Sequence, residues 1–262
     1  MKKMEKKYIP LAQFFELCTQ NTFTLTYDEI QNIMGHELPN AAYLNLSWWK
    51  KTKAPSTHYF AWTNSNYQVV HVNLGHSVTF SCAQLEESID QKAKNTFITR
   101  QIEANDARAF INLQEEIFSQ SEFGYYAPEE QGLTVQHVRK KIAEWRKQKT
   151  STILLCIYDG KFAGYSKIIG NEASRTKHIA SVRIAILDAF KQKGLAEALL
   201  KETEKWARAN NISRLEANIM AHNEAAVKLF NKMNYQTEGT RKNAVLLNDE
   251  FIDEIHCSKI IK

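Results

Sequence analysis

Apolar positions repeat with two different periods along this chain, and each change of period marks an element. In residues 8–82, Leu11, Phe14, Phe15 and Cys18 share one helical face. Thr26 precedes a second helical stretch, Tyr27 to Met34, with Glu29 at capping-box spacing and Gly35 as its stop. A third helical segment is predicted from Ala41 to Trp49. Tyr59–Trp62, Tyr67–Asn73 and Ser77–Phe80 read as short strands.

Residues 83–95 are polar and interrupt the patterning on both sides, which predicts a linker. Beyond them, Phe97–Ile102 reads as a strand. Asp106 is placed to cap a helix carrying Phe110, Leu113 and Ile117, and a second helix is expected over about 134–148. The intervening 119–132, with Phe123, Tyr125, Tyr126 and Pro128, mixes aromatic and polar groups. Thr152–Tyr158 and Phe162–Ile169 are strands joined by Asp159-Gly160, a two-residue hairpin signal. Val182–Leu187 is a β-branched strand, a helix opens near Leu195, and Arg214–Ile219 alternates as a strand. Residues 238–247 and 251–261 form a last hairpin around Asn248-Asp249.

The densest chemistry lies where Val182–Leu187 passes through Lys191-Gln192-Lys193-Gly194 into the helix at Leu195 and Ala196. The first amides of a helix lack intrahelical partners and its dipole favours an anion there. Gly194 leaves the backbone approachable, and the lysines add charge. A diphosphate is the expected guest. Neither a Walker P-loop nor the dinucleotide fingerprint fits, since their further glycines and Gly-Lys-Ser/Thr are missing.

Downstream, Asn223, Ala226, Leu229 and Phe230 are followed by Asn234-Tyr235. With Lys191, Gly194 and Ala196 in the preceding turn, these residues make the chain from about 96 to 262 resemble the GCN5-related N-acetyltransferase (GNAT) superfamily. The cofactor motif of that family is Arg/Gln-x-x-Gly-x-Gly/Ala, and its next motif is Asn-x-x-Ala-x-x-Leu-Tyr. The resemblance implies an α/β fold with a mixed, mostly antiparallel sheet flanked by helices. It implies acetyl-CoA as co-substrate, a primary amine as acceptor, and direct attack in a ternary complex. In the family, the strand matching 182–187 splays from the one matching 214–219, and the pantetheine arm fills the gap. Ile186 and Leu187 would then offer backbone groups, including amides that polarise the thioester oxygen. Lys191, Gln192, Lys193, Gly194, Leu195 and Ala196 would hold the diphosphate. Asn223 is either a helix N-cap, a pantetheine partner, or both, and Phe230 would line the same arm. Phe230 departs from the family, which usually has a tyrosine there to protonate the leaving sulfur. Tyr235, Tyr125, Tyr126 or water is the expected substitute. Glu216 is the expected general base, with His222, Asp253 and Glu254 as other titratable groups nearby in sequence.

Composition leaves these readings intact. The 262 residues are 44% hydrophobic and 24% charged, with a formal net charge of +5. That is enough for a sizeable core and compatible with an anionic co-substrate. There is no membrane-length apolar run, no hydrophobic signal core after the basic start, and four scattered cysteines without metal-ligand spacing. A cytoplasmic protein with no metal and no membrane partner is expected.

Residues 1–82 form the expected first domain. Three helices followed by a hairpin is a winged-helix-like order, giving a small α+β domain. Leu38, Pro39, Ala42, Trp48, Trp49, Ala61 and Trp62 also resemble an uncharacterised small bacterial and phage domain. Lys50, Lys51 and Lys53 beside Trp48 and Trp49 suit nucleic acid. Against this, seven lysines face five acidic residues in 1–82, a weak footprint. A docking module for an acceptor protein is the other reading. The alternative to an enzyme is a nucleic-acid-binding regulator with an acetyl-CoA-sensing, weakly active or inactive GNAT domain.

Overall fold

In a computed structural model that describes residues 4–50, 56–82, 96–125 and 132–261, the backbone divides into two units. One holds residues 1–106 with 157–162, the other 107–156 with 163–262. The expected linker, 83–95, lies outside the described residues.

The first unit runs α1 (Ile9–Leu17), β1 (Thr22–Thr26), α2 (Tyr27–Met34), α3 (Asn40–Leu44), α4 (Leu46–Lys50), α5 (Phe60–Thr63), β2 (Tyr67–Asn73), β3 (Ser77–Cys82) and β4 (Phe97–Gln101). Its small antiparallel sheet has the order β1-β3-β2. The capping box forms as the spacing predicts: the Glu29 amide donates to Thr26 Oγ1 and the Thr26 amide to Glu29. Gly35 ends α2 at φ 73°, a left-handed conformation that suits glycine.

Two expectations fail here, and one element had no sequence reading: Thr22–Thr26 is a strand, inserted between the first two helices. The segment from Ala41 to Trp49 breaks in two at Asn45, whose backbone is extended. Tyr59–Trp62 is part of a short helix, with the amides of Phe60 and Ala61 bonded to Thr57 and His58 carbonyls. Four residues hold too little periodicity to separate a strand from one helical turn. The order is therefore not three helices and a hairpin.

Trp49 and Trp62 belong to this unit's interior, and Trp48 is half-buried. Trp49 is buried and its indole N–H donates to the Ala42 carbonyl and the Tyr27 hydroxyl. Trp48 stacks on His58 at 4.0 Å. Lys51 and Lys53 lie outside the described residues. Arg100, buried, donates to the carbonyls of Asn32 and Ile33 at the end of α2 and pairs with Asp106 at 2.7 Å. The Asp106 carboxylate also accepts from the Glu103 amide, so it serves Arg100 and this turn, not the cap expected of it.

The second unit carries α6 (Ala107–Gln120), α7 (Val135–Gln148), β5 (Thr152–Tyr158), β6 (Lys161–Gly170), β7 (Ile179–Ile186), α8 (Leu195–Ala209), β8 (Arg214–Met220), α9 (Glu224–Lys232), β9 (Gln236–Leu247) and β10 (Glu250–Ile260). These strands follow the order β5-β6-β7-β8-β10-β9 in a mixed, mostly antiparallel sheet. Every residue of β5 is buried, as a strand covered on both faces requires. α8 is the crossover that lets β7 and β8 run parallel. Its inner face locks to β6 through a buried bond of 2.8 Å between Ser166 and Thr203 hydroxyls. Asp159-Gly160 and Asn248-Asp249 both take positive φ at two successive residues, the backbone that two-residue hairpins need.

Candidate active site

β7 and β8 pair only over Ile179–Ser181 against Arg214–Glu216. Beyond that point β7 stays on β6 and β8 stays on β10. Two strand edges therefore diverge with main-chain groups that the sheet does not use. The pairing with β6 decides which groups of β7 these are. The Leu187 amide donates to the Ala163 carbonyl at 2.9 Å, and the Asn171 amide to the Ile179 carbonyl at 3.2 Å. In an antiparallel pair the bonded positions alternate. Odd-numbered residues of β7 thus bond to β6, and Val182, Ile184 and Ile186 turn their amides and carbonyls into the splay. Leu187 was expected to offer its amide beside Ile186; that amide is already taken by Ala163. Val182 and Ile184 join Ile186 instead.

A cleft of about 510 Å³ opens at this splay. At one end it reaches Ile186, Asp188 and Lys191. There Gln192 and Gly194 adopt φ of 61° and 77°. Gly194 is the N-cap of α8 and supplies no side-chain bond, so the amides of Leu195, Ala196 and Glu197 are left without a cap. A Cβ built on Gly194 would meet nothing within 4 Å, so the space above these amides is open. Glu197, in the same turn, directs its carboxylate to Lys232 and Lys201, whose bonds hold its pKa below the usual range. Lys191 pairs with Asp188 at 2.5 Å, and Lys193 lies near the Phe190 ring.

Asn223 caps α9, its side-chain oxygen accepting from the Ala226 amide at 3.1 Å, and it also lines the cleft. Phe230 is another lining residue, packed edge-on against Tyr235 at 4.8 Å. Tyr235 itself lies behind Phe230, outside the cleft lining. Its hydroxyl is buried without a partner among the described residues, and burial pushes its pKa well above that of an ordinary phenol. Such a hydroxyl does not reach the cleft as the sequence suggested.

Farther back along β7, Arg183 lines the cleft with its cross-strand partner Lys167 on β6 and with Tyr125, and Phe118, Phe123 and Leu133 add apolar lining. Tyr126 and Pro128 lie outside the described residues. The Tyr125 hydroxyl donates to Glu254, and the Arg183 guanidinium lies 4.4 Å from the Tyr125 ring centre. Glu254, on β10 opposite Met220, is 1% exposed and pairs with Arg241 at 2.5 Å. Burial raises its carboxyl above the ordinary carboxylate range. Burial, with Arg183 and Lys141 nearby, lowers the Lys167 ammonium below its ordinary 10.5.

Glu216 lies outside the lining and is ion-paired with Arg214 at 2.6 Å, which also holds Glu238. Asp253 bonds to Lys242 and the Asn243 amide. His222 sits 3.9 Å from Glu122. Sequence reasoning ranked these groups by nearness to the motifs and passed over the pair Lys167 and Arg183. The signal for that pair was present: one cation interrupts each of two apolar strands. Among the described residues, no three His, Cys, Asp or Glu side chains are grouped to hold a metal ion.

Residues 110–235 match the model of the Acetyltransferase (GNAT) family. They form a GNAT-family acetyltransferase domain. Residues 8–84 match a domain of unknown function (DUF7662). The L-amino acid N-acetyltransferase AaaT of Escherichia coli is 29% identical to this chain over 112 residues, 41% of this chain and 67% of that protein. The crystal structure of a GNAT-family acetyltransferase from Streptococcus pneumoniae covers 63% of this chain and 99% of its own, with 26% identity and a TM-score of 0.61. A GNAT superfamily phosphinothricin acetyltransferase from Sinorhizobium meliloti, solved in complex with acetyl-CoA, superposes with a TM-score of 0.56 at 14% identity, covering 63% of this chain and 88% of its own. At that identity it shares the fold. No helix among the described residues of the present chain is long and apolar enough to cross a membrane.

Proposed function

We propose that the GNAT domain, residues 96–262, transfers an acetyl group from acetyl-CoA to a primary amine in a ternary complex. The observation that carries this is the splay of β7 from β8, which opens beside an uncapped helix N-terminus. An extended pantetheine arm needs main-chain partners along a strand edge, and Val182, Ile184 and Ile186 turn theirs into the gap. A diphosphate needs clustered N–H donors, and the first turn of α8 presents them under open space at Gly194. Lys191, Gln192, Lys193, Gly194, Leu195 and Ala196 form that anion end, and Asn223 and Phe230 flank the arm. The residues fit the group.

When bound, acetyl-CoA supplies an activated acyl thioester. The chain's own work is then positioning, which contributes up to roughly 7–11 kcal/mol in the best cases, and handling of one proton. The amine nitrogen bonds to the acetyl carbonyl carbon as the carbon–sulfur bond breaks and the sulfur leaves with the electron pair. An acceptor amine of pKa about 10.4 must shed a proton on the way. Tyr125 lines the cleft and its hydroxyl is bonded to Glu254. We assign the relay to this couple: Tyr125 takes the amine proton as its own passes to Glu254. Burial moves that carboxyl toward the range a base at neutral pH needs. Because a thiol of pKa about 8.5 leaves readily as its thiolate, Phe230 in place of a tyrosine hydroxyl is tolerable.

Calorimetric titration of the full chain with acetyl-CoA tests the reading. Binding in the micromolar range, lost in Gly194→Trp, is expected. A folded protein that gives no heat with acetyl-CoA overturns it.

A further inference from the structure

Lys167 and Arg183 are direct cross-strand partners in the β6–β7 ladder. Partners in such a pair stand on the same face of the sheet, with Cα atoms about 5.5 Å apart where the pair is hydrogen-bonded. Like charges placed opposite one another destabilise a sheet. Here the penalty is aggravated, because Lys167 is half-buried and further positive charge comes from Lys141. The described residues offer Lys167 no acidic partner, and Arg183 rests on the face of the Tyr125 ring. Both side chains line the cleft. Arg183, with Lys167 opposite it, stands beside Tyr125, the group assigned to the acceptor's proton, and earlier along β7 than the end that leads to the α8 turn. Phe118, Phe123 and Leu133 give the lining of the same cleft an apolar surface.

A pair of cations that line a binding cleft without a counter-ion among the described residues suits an anion. We propose that Lys167 and Arg183 bind the carboxylate of the acceptor, and that the acceptor is a small amino acid-like amine with an apolar side chain. This rests on the acetyl-transfer reading above and names the substrate class for it. The carboxylate takes no part in bond making. It fixes the molecule so that its amine meets Tyr125 while its side chain packs on the aromatic wall. A lysine side chain in a protein, or a polyamine, carries no such group near its reacting nitrogen and would leave the two cations facing each other unrelieved.

The test compares L-leucine with L-leucinamide as acceptors for the full chain, following release of the CoA thiol. Lys167→Met, Arg183→Gln and the double variant are measured beside the wild type. The quantity read is the ratio of kcat/KM for leucine to that for leucinamide. Intrinsic amine reactivity is the same with every protein, so a change in this ratio reports recognition of the carboxylate. The ratio should fall about 10- to 100-fold in the double variant, mostly through KM, as expected for loss of charge-assisted bonds. Lys167→Arg, which keeps the charge, should hold the ratio near that of the wild type. An unchanged ratio in folded variants overturns the proposal, as does acetyl-CoA turnover with neither acceptor. Loss of acetyl-CoA affinity in the variants would assign the cations to the co-substrate and overturn it equally. If the wild type itself binds no acetyl-CoA, the acetyl-transfer reading has failed. Titration with N-acetyl-L-leucine against N-acetyl-L-leucinamide then reads the cation pair without turnover. Preference for the carboxylate that disappears in the double variant supports the receptor, and binding of neither removes it.

Discussion

At one end of the cleft the recognising groups are main-chain amides; at the other they are side chains. The α8 turn and the free edge of β7 depend on backbone conformation, so their chemistry survives changes of residue. Lys191 stands where the family has arginine or glutamine, and Ala196 fills a position shared with glycine. Neither change removes the orphan amides of Leu195, Ala196 and Glu197. The opposite end has no such tolerance. Lys167, Arg183, Tyr125 and Glu254 act through specific atoms, and each is brought in by a different element. The comparison teaches where family and individuality reside: the co-substrate end is made of geometry that a short motif encodes, and the acceptor end of chemistry that belongs to this chain.

The harshest way to break the comparison is to make the backbone end depend on a side chain. Gly194→Trp should cost acetyl-CoA more than about 100-fold in affinity by calorimetry, since two or more charge-assisted bonds are obstructed. Its positive φ adds roughly 1 kcal/mol of strain for a residue with a Cβ. Gly194→Asn, which tolerates that φ, should keep most of the affinity; equal loss in both would point to strain and not to obstruction.

At the side-chain end, Glu254→Gln should lower kcat about 100-fold, the low side of general-base contributions, with acetyl-CoA affinity unchanged. A kcat within a few-fold of wild type would remove the Tyr125–Glu254 relay. Phe230→Tyr sits between the two ends and should raise kcat by less than about tenfold, because protonation of a thiolate leaving group helps little. No change would mean that another hydroxyl or water already serves.

Titration separates the ends further. Lys167 binds an anion only while protonated, and its pKa lies below the ordinary 10.5. Burial lowers it most, Arg183 and Lys141 add to the depression, and the Tyr165 hydroxyl on the same face is neutral because burial raises its pKa. KM for a carboxylate acceptor should therefore rise as pH climbs through the lowered value, and Lys167→Arg should abolish that rise. KM for acetyl-CoA, held by amides, should not follow it. The smallest effect is expected outside the cleft. Bonds from Arg214 and Ser258 depress Glu238 from its ordinary 4.5 to about 2. A depressed carboxyl stabilises above its unfolded value and loses that contribution as pH falls. The difference in thermal midpoint between wild type and Glu238→Gln should be full above 4.5 and gone by about 2.

Much of this protein follows from neighbours in sequence. The capping box of Thr26 and Glu29, the positive-φ turns at Asp159-Gly160 and Asn248-Asp249, and the glycine opening of α8 each need only a few consecutive residues. Strand alternation in 214–220 and the β-branched run of β7 are equally local. These interactions close within one turn or one hairpin, so residue type and spacing determine them. The amide alternation along β7 is different, because it depends on register against β6, and it exchanges Leu187 for Ile184 and Val182. Burial of Glu254 and its bond to Tyr125 join residues 129 positions apart. The same ladder register sets Lys167 against Arg183. The helical Tyr59–Trp62 and the withdrawal of Tyr235 behind Phe230 likewise come from packing. A side chain's pKa and its access to a cleft are set by what surrounds it in space. For these groups the surroundings arrive from distant parts of the chain, and only the folded structure brings them together.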